Sequence, residues 1–266
     1  MNQQYPPPNP EGNPSEFRPE STTQNQAAPT RLPLKLPDNR PVVTYTLLVI
    51  TSVIFLLQLG TQYLLQVDIP AAYGLKVNQL IANGQLWRLI TPMFLHGSFL
   101  HIAFNMYALS RIGPRLERYY GHWRFLALYV LSGFGGNVFS MMFTQAPSLG
   151  SSTAIFGLIG AQGVFLYQNR EMFGPAVRQA LNSIVGIALI NLLIGLSPGI
   201  DNWGHVGGLI AGLIFAWLGG PVFEVTGIYP DLTLTDRRGL KEFLQAAGIG
   251  TAFFFLLTAG ALYLMQ

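Results

Sequence analysis

Half of the 266 residues are hydrophobic and only 10% are charged, whereas ordinary soluble domains carry roughly 25% charged residues. A soluble fold cannot cover its surface with so few charges, so the composition excludes a soluble globular protein and indicates a polytopic membrane protein. The absence of cysteine excludes disulfides and cysteine catalysis, and the net charge of +3 argues against nucleic acid as a partner.

Residues 1–38 are dominated by Pro, Asn, Gln, Ser and Thr, as in Tyr5-Pro6-Pro7-Pro8. This stretch has too little apolar surface to offset the entropy of ordering, which predicts a disordered tail. It lacks the basic start and apolar core of a signal peptide. We expect a solvated cytoplasmic extension, and a docking or regulatory role for it stays open.

Seven apolar segments follow the tail, each near the roughly 20 residues that cross a bilayer. They lie at 42–60, 93–111, 125–144, 151–168, 179–197, 203–220 and 243–265. A charged linker at 221–242 separates a core at 39–220 from an appended helix at 243–266. The sequence therefore predicts an all-α membrane protein, a bundle of six transmembrane helices plus one C-terminal helix.

The distribution of basic residues sets the orientation. With the N-terminus in the cytoplasm, all of the 15 Lys and Arg residues except Lys76 and Arg88 lie on the cytoplasmic side, as the positive-inside rule requires. The C-terminus then lies outside. The long first outer connection, 61–92, ends in Trp87-Arg88, a pair suited to the headgroup level, and predicts an interfacial loop.

Polar residues inside a membrane are expensive and are functional candidates by default. His101 and Asn105 are four residues apart on the second helix and therefore share a face. Ser152 opens the fourth helix and His205 opens the sixth. All three helices begin on the outer side in this topology, so the three groups lie at similar depth and are able to converge.

The chemistry of these groups fits one reaction. A serine hydroxyl needs a general base within hydrogen-bond reach, and histidine suits that role near neutral pH. The Asn105 amide, a His101 ring N–H and the Ser152 backbone N–H are candidate donors to an oxyanion. Phe156 lies one turn below Ser152, where its ring is able to brace His205. Glycines at four-residue spacing on the sixth helix allow it to approach the fourth closely: Gly204, Gly208 and Gly212.

The pattern resembles the rhomboid intramembrane serine proteases over residues 42–220, with the seventh helix matching a six-plus-one variant. The resemblance rests on four motifs in order: Trp87-Arg88, His101-Ile102-Ala103-Phe104-Asn105, Gly150-Ser151-Ser152-Thr153 and His205-Val206-Gly207-Gly208. It implies that Ser152 is the nucleophile, His205 the base, and His101 and Asn105 oxyanion donors.

The resemblance also implies peptide-bond hydrolysis through an acyl-enzyme. The implied partners are membrane-spanning substrates, cut in or near the outer juxtamembrane segment, and the lipid bilayer. No metal or organic cofactor is expected. The compact body and the lack of a targeting signal favour a bacterial plasma membrane, while the substrate and the oligomeric state stay open.

Alternatives remain at three positions. Thr153 stands where the family has glycine, which supports a catalytically inactive rhomboid-like protein that binds or escorts membrane proteins. Ser151 is a second candidate nucleophile, although the Gly-x-Ser spacing favours Ser152. Asp201 is more typical of a helix cap than of a third catalytic member. A transporter is disfavoured because neither internal repeats nor charges across the membrane are evident.

Overall fold

The computed structural model describes residues 39–265, so the prediction of a disordered tail at 1–38 lies outside the described residues. The helices are α1 (Val42–Leu65), α2 (Ile69–Gly74), α3 (Asn78–Ala82), α4 (Phe99–Tyr120), α5 (His122–Phe143), α6 (Ser152–Gln168), α7 (Arg170–Phe173), α8 (Ala176–Ile194), α9 (Asn202–Gly219) and α10 (Leu240–Leu264). Two 3-10 turns lie at Leu86–Leu89 and Thr91–Phe94. The prediction of an all-α membrane protein is confirmed.

The second long helix begins later and ends later than predicted. The segment 93–111 was expected, but α4 spans Phe99–Tyr120. Ser98 sets the start, because its hydroxyl accepts a hydrogen bond from the His101 backbone N–H and so caps the first turn. Pro114 lies inside the helix without ending it, and Gly121, at φ +74°, ends it. The predicted segment 93–111 therefore covers the end of the 3-10 turn Thr91–Phe94 and the first half of α4.

The charged linker before the last helix is partly ordered as a hairpin. Strands β1 (Phe223–Thr226) and β2 (Thr233–Asp236) pair antiparallel, with Val225 opposite Leu234. Asp236 accepts hydrogen bonds from the backbone N–H groups of Val222 and Arg238 and forms an ion pair with Arg124. These strands were not predicted from the sequence, because four-residue strands rich in threonine and charge carry little apolar signal.

Within residues 39–265, four helices are long and apolar enough to span a membrane: α1, α5, α8 and α10. The other long helices are α4, with four charged side chains in its second half, and the shorter α6 and α9 of 17 and 18 residues. These three helices carry the polar residues singled out above.

The helix α9 packs directly against α5 and α6, and glycine makes that approach possible. A Cβ added at Gly212 would collide with the backbone of Gly157 on α6, and one at Gly207 would collide with Phe139 on α5. Small residues permit this close packing in membranes. The packing fixes the N-terminal end of α9 beside the N-terminal end of α6.

The outer connection between α1 and α4 is a folded unit that differs from the predicted interfacial loop at one residue. Trp87 is half exposed, as expected for a headgroup-level side chain, but Arg88 is only 3% exposed. The Arg88 guanidinium donates to the carbonyl oxygens of Ala72 and Leu75, each at 2.8 Å. Arg88 therefore binds the C-terminal carbonyls of α2, which have no partner within that helix.

Candidate active site

Ser152 and His205 form a hydrogen-bonded pair at the N-terminal ends of two adjacent helices. Ser152 is the first residue of α6, and His205 lies in the first turn of α9. The distance from Ser152 Oγ to His205 Nε2 is 2.9 Å. This is the geometry in which an imidazole is able to accept a hydroxyl proton as nucleophilic attack begins.

Phe156 holds the His205 ring in place. The two rings are stacked, with centroids 4.3 Å apart and planes inclined by 13°. Phe156 lies one turn after Ser152 on α6, so one helix provides both the hydroxyl and the aromatic surface that orients its partner. His205 itself is only 8% exposed.

Asp201 lies outside hydrogen-bond reach of the imidazole. Its carboxylate is the N-cap of α9 and accepts a hydrogen bond from the Gly204 backbone N–H at 3.1 Å. The Nδ1 atom of His205 has no hydrogen-bond partner among residues 39–265. The arrangement is therefore a Ser–His dyad, without the third hydrogen-bonded member of a Ser-His-Asp triad.

His101 lies close to Ser152 because Gly150 leaves room for it. A Cβ added at Gly150 would lie 2.7 Å from His101 Nε2 and 3.6 Å from Ser152 Oγ, and the φ of +125° also requires glycine. Asn105 is one turn further along the same face of α4. Its Nδ2 is buried and makes no hydrogen bond within the described part of the chain. A free, buried donor of this kind is what an oxyanion site requires.

Ser151 is arranged differently from Ser152. It is completely buried, and its hydroxyl faces His96 Nε2 at 3.4 Å and not His205. The His96 ring packs edge-on against that of His101, with centroids 5.0 Å apart. This Ser151–His96 contact was not predicted from the sequence, since the two residues lie 55 positions apart and only the fold brings them together.

Thr153 fits between glycines on the neighbouring helices. A Cβ at Gly136 of α5 would lie 2.6 Å from the Thr153 Cβ, and one at Gly204 of α9 would lie 3.1 Å from the Thr153 methyl group. The methyl group thus occupies space that two glycines leave empty. The departure from the family's glycine at this position is compensated locally, and the Ser152–His205 bond is intact beside it.

The fold and the site define a helical membrane protein with a hydrogen-bonded Ser–His pair at the N-terminal ends of two closely packed helices. Residues 83–222 match the model of the rhomboid domain family. The chain belongs to the rhomboid family and is an integral membrane protein. The resemblance identified from the motifs is confirmed.

Three relatives illustrate the match. The rhomboid protease GluP of Bacillus subtilis is 39% identical over 180 residues, covering 67% of this chain and 35% of the relative. The mitochondrial RHOMBOID-like protein 6 of Arabidopsis thaliana is 38% identical over 65% of this chain and 52% of its own length. Rhomboid-like protease 1 of Toxoplasma gondii is 35% identical over 68% of this chain and 61% of its own. The match thus spans about a third to three fifths of these relatives.

Proposed function

We propose that this protein is an intramembrane serine endopeptidase that hydrolyses a peptide bond in or near the transmembrane segment of membrane protein substrates. The observation that carries the proposal is the 2.9 Å hydrogen bond between Ser152 Oγ and His205 Nε2, on a ring stacked against Phe156. Membership of a family that includes named proteases supports it. A serine that only packs against its neighbours would not need an imidazole oriented by a stacked aromatic ring as its partner.

In the acylation step, Ser152 Oγ attacks the scissile carbonyl carbon and its proton passes to His205 Nε2. The carbonyl oxygen becomes an oxyanion, for which we propose His101, Asn105 and the Ser152 backbone N–H as donors. The N-terminus of α6 adds positive partial charge at the same place. The C–N bond then breaks, and His205 returns the proton to the leaving amine.

In the deacylation step, a water molecule gives a proton to His205 and attacks the ester carbon. The ester bond breaks, the acid product leaves, and Ser152 Oγ regains the proton. The cycle needs no metal or organic cofactor, because the dyad and the hydrogen-bond donors perform every proton transfer and stabilise the charge. Ser151, whose hydroxyl faces His96, has no separate role in this cycle.

The topology proposed from the basic residues has the N-terminus in the cytoplasm and the C-terminus outside. Ser152 and His205, at the N-terminal ends of α6 and α9, then open toward the outer face. The substrate segment must unwind locally to reach them, because the carbonyls of an intact helix are already hydrogen-bonded. A bacterial plasma membrane remains our proposed location.

Labelling by a fluorophosphonate probe tests this function without knowledge of the substrate. The purified protein is compared with Ser152→Ala, His205→Ala and Ser151→Ala. We expect labelling in the wild type and in Ser151→Ala, and none in the other two variants. A folded wild type that does not label would refute the protease proposal and favour a protein that binds or escorts membrane segments.

A further inference from the structure

Lys76 is a fully buried cation in the outer connection between α2 and α3, with 0% of its surface exposed. Its ammonium group donates to the carbonyl oxygens of Thr144 at 2.7 Å and Ala146 at 3.0 Å and to the Asn78 side chain at 3.0 Å; a longer contact of 3.4 Å reaches the Ser140 carbonyl. These carbonyls belong to the end of α5 and the residues just after it. Lys76 therefore acts as a cation at the C-terminus of α5, where helix carbonyls lack partners.

The same turn of α5 binds Asp201 from its other side. The hydroxyls of Ser140 and Thr144 both donate to the Asp201 carboxylate, the latter at 3.1 Å. Asp201 in turn accepts from the Gly204 backbone N–H, next to His205. A continuous path of hydrogen bonds thus runs from the ammonium of Lys76, through the last turn of α5, to the first turn of α9.

Lys76 and Asp201 also interact as charges. Burial lowers the pKa of Lys76 to about 8, while the charge of Asp201 raises it and partly offsets the burial. A buried ammonium is costly alone, and a nearby carboxylate such as that of the half-buried Asp201 lowers the cost. Few charges occur in the apolar body of this chain, and these two both bind residues at the C-terminal end of α5.

We propose that Asp201 is a positioning residue for His205, and that Lys76 holds Asp201 in place through the last turn of α5. This inference rests on the proposed function. Asp201 makes no hydrogen bond to the imidazole, so it acts by fixing the backbone of α9, one residue from His205. A dyad without a third member has nothing bonded to Nδ1, and its histidine depends on its helix and on Phe156 for orientation.

The test measures the rate constant of fluorophosphonate labelling at saturating probe, the half-saturating probe concentration and the melting temperature in detergent. The variants are Asp201→Ala, Asp201→Asn, Lys76→Met and the double variant Lys76→Met/Asp201→Ala. Asp231→Ala and Lys241→Met remove the same charges at exposed positions and serve as matched controls.

We expect Asp201→Ala to lower the maximal labelling rate about tenfold with the half-saturating concentration unchanged, since a loss of orientation affects reaction more than binding. Asp201→Asn should recover most of the rate, because its amide oxygen still accepts from Gly204 N–H. The double variant should be no slower than Asp201→Ala alone, because Lys76 acts through Asp201. Both controls should label like the wild type.

A wild-type rate in Asp201→Ala would overturn the positioning role of Asp201. A wild-type rate in Lys76→Met, or independent, multiplying losses in the double variant, would overturn the link to Lys76. A loss of rate explained by a lowered melting temperature alone would mean that both residues only stabilise the fold.

If the wild type itself does not label, the proposed function fails, and hydrogen–deuterium exchange still tests the inference. Faster exchange at residues 201–208 in Lys76→Met than in Lys241→Met would support the link. Equal exchange would overturn it.

Discussion

Gly208→Ala is expected to separate the two members of the dyad by moving the helices that carry them. A methyl group added at Gly208 of α9 would lie 2.8 Å from the carbonyl carbon of Thr153 on α6, with the attached oxygen nearer still. Non-bonded carbon atoms prefer a separation of about 3.5–4.0 Å. Because the obstacle is backbone and not a flexible side chain, the helices must move apart by about 1 Å.

That movement acts directly on the catalytic hydrogen bond. His205 lies one turn before Gly208 on α9, and the Ser152–His205 distance of 2.9 Å would lengthen beyond the hydrogen-bond limit of about 3.5 Å. A misplacement of about 1 Å can lower a reaction rate about 100-fold. We therefore expect fluorophosphonate labelling of Gly208→Ala to be about 100-fold slower than that of the wild type. We also expect its free energy of unfolding to be lower by about 1–3 kcal/mol.

The assay compares labelling time courses of the wild type, Gly208→Ala and Gly186→Ala. Gly186 lies on α8, where an added methyl group meets nothing within 4 Å, so this control should label at the wild-type rate. Circular dichroism establishes that all three proteins are folded. Wild-type labelling by a folded Gly208→Ala would refute the argument that glycine contact between α6 and α9 sets the dyad distance.

Three further predictions concern stability. Glu117→Gln should lower the free energy of unfolding by about 3 kcal/mol, because the buried carboxylate accepts hydrogen bonds from both the backbone N–H and the hydroxyl of Thr44. The exposed Glu171→Gln is the control, and a Glu117→Gln variant that melts at the wild-type temperature would contradict the prediction. Thr153→Gly should melt lower and label no faster, since its methyl group fills space beside Gly136; faster labelling would show that Thr153 crowds the site. The pKa of Lys76 lies at about 8, below its usual 10.5. Between pH 8 and 10.5 the unfolded chain therefore binds more protons than the folded chain, and the stability of the wild type should rise with pH. A melting temperature that rises equally with pH in Lys76→Met would show that Lys76 is not the cause.

The sequence determined the class of protein and the order of its parts. The scarcity of charge excluded a soluble fold, and seven apolar segments predicted the seven long helices in order, because both signals are carried by local composition. The motifs around His101, Ser152 and His205 identified the family. Each is a short run on one helix, with chemistry readable from residue type and spacing alone.

Tertiary structure decided which of these residues touch. Ser151 and Ser152 are adjacent in sequence, yet one faces His96 and the other His205, because the direction of each side chain depends on where α6 begins. Likewise, Thr153 packs between Gly136 of α5 and Gly204 of α9, and the sequence around Thr153 does not reveal these contacts. Distances between residues far apart in the chain depend on how the helices pack, and a residue pattern along one helix does not predict that packing.

The same limit explains the charged residues of the outer connection. The sequence assigned Arg88 to the membrane surface and gave Lys76 no role, since a lone basic residue in a loop is usually solvated. In the folded protein each binds the carbonyls at the end of a helix, Arg88 at α2 and Lys76 at α5. Whether a charge is solvated or buried depends on the partners that the fold brings to it, and those partners lie up to 70 residues away.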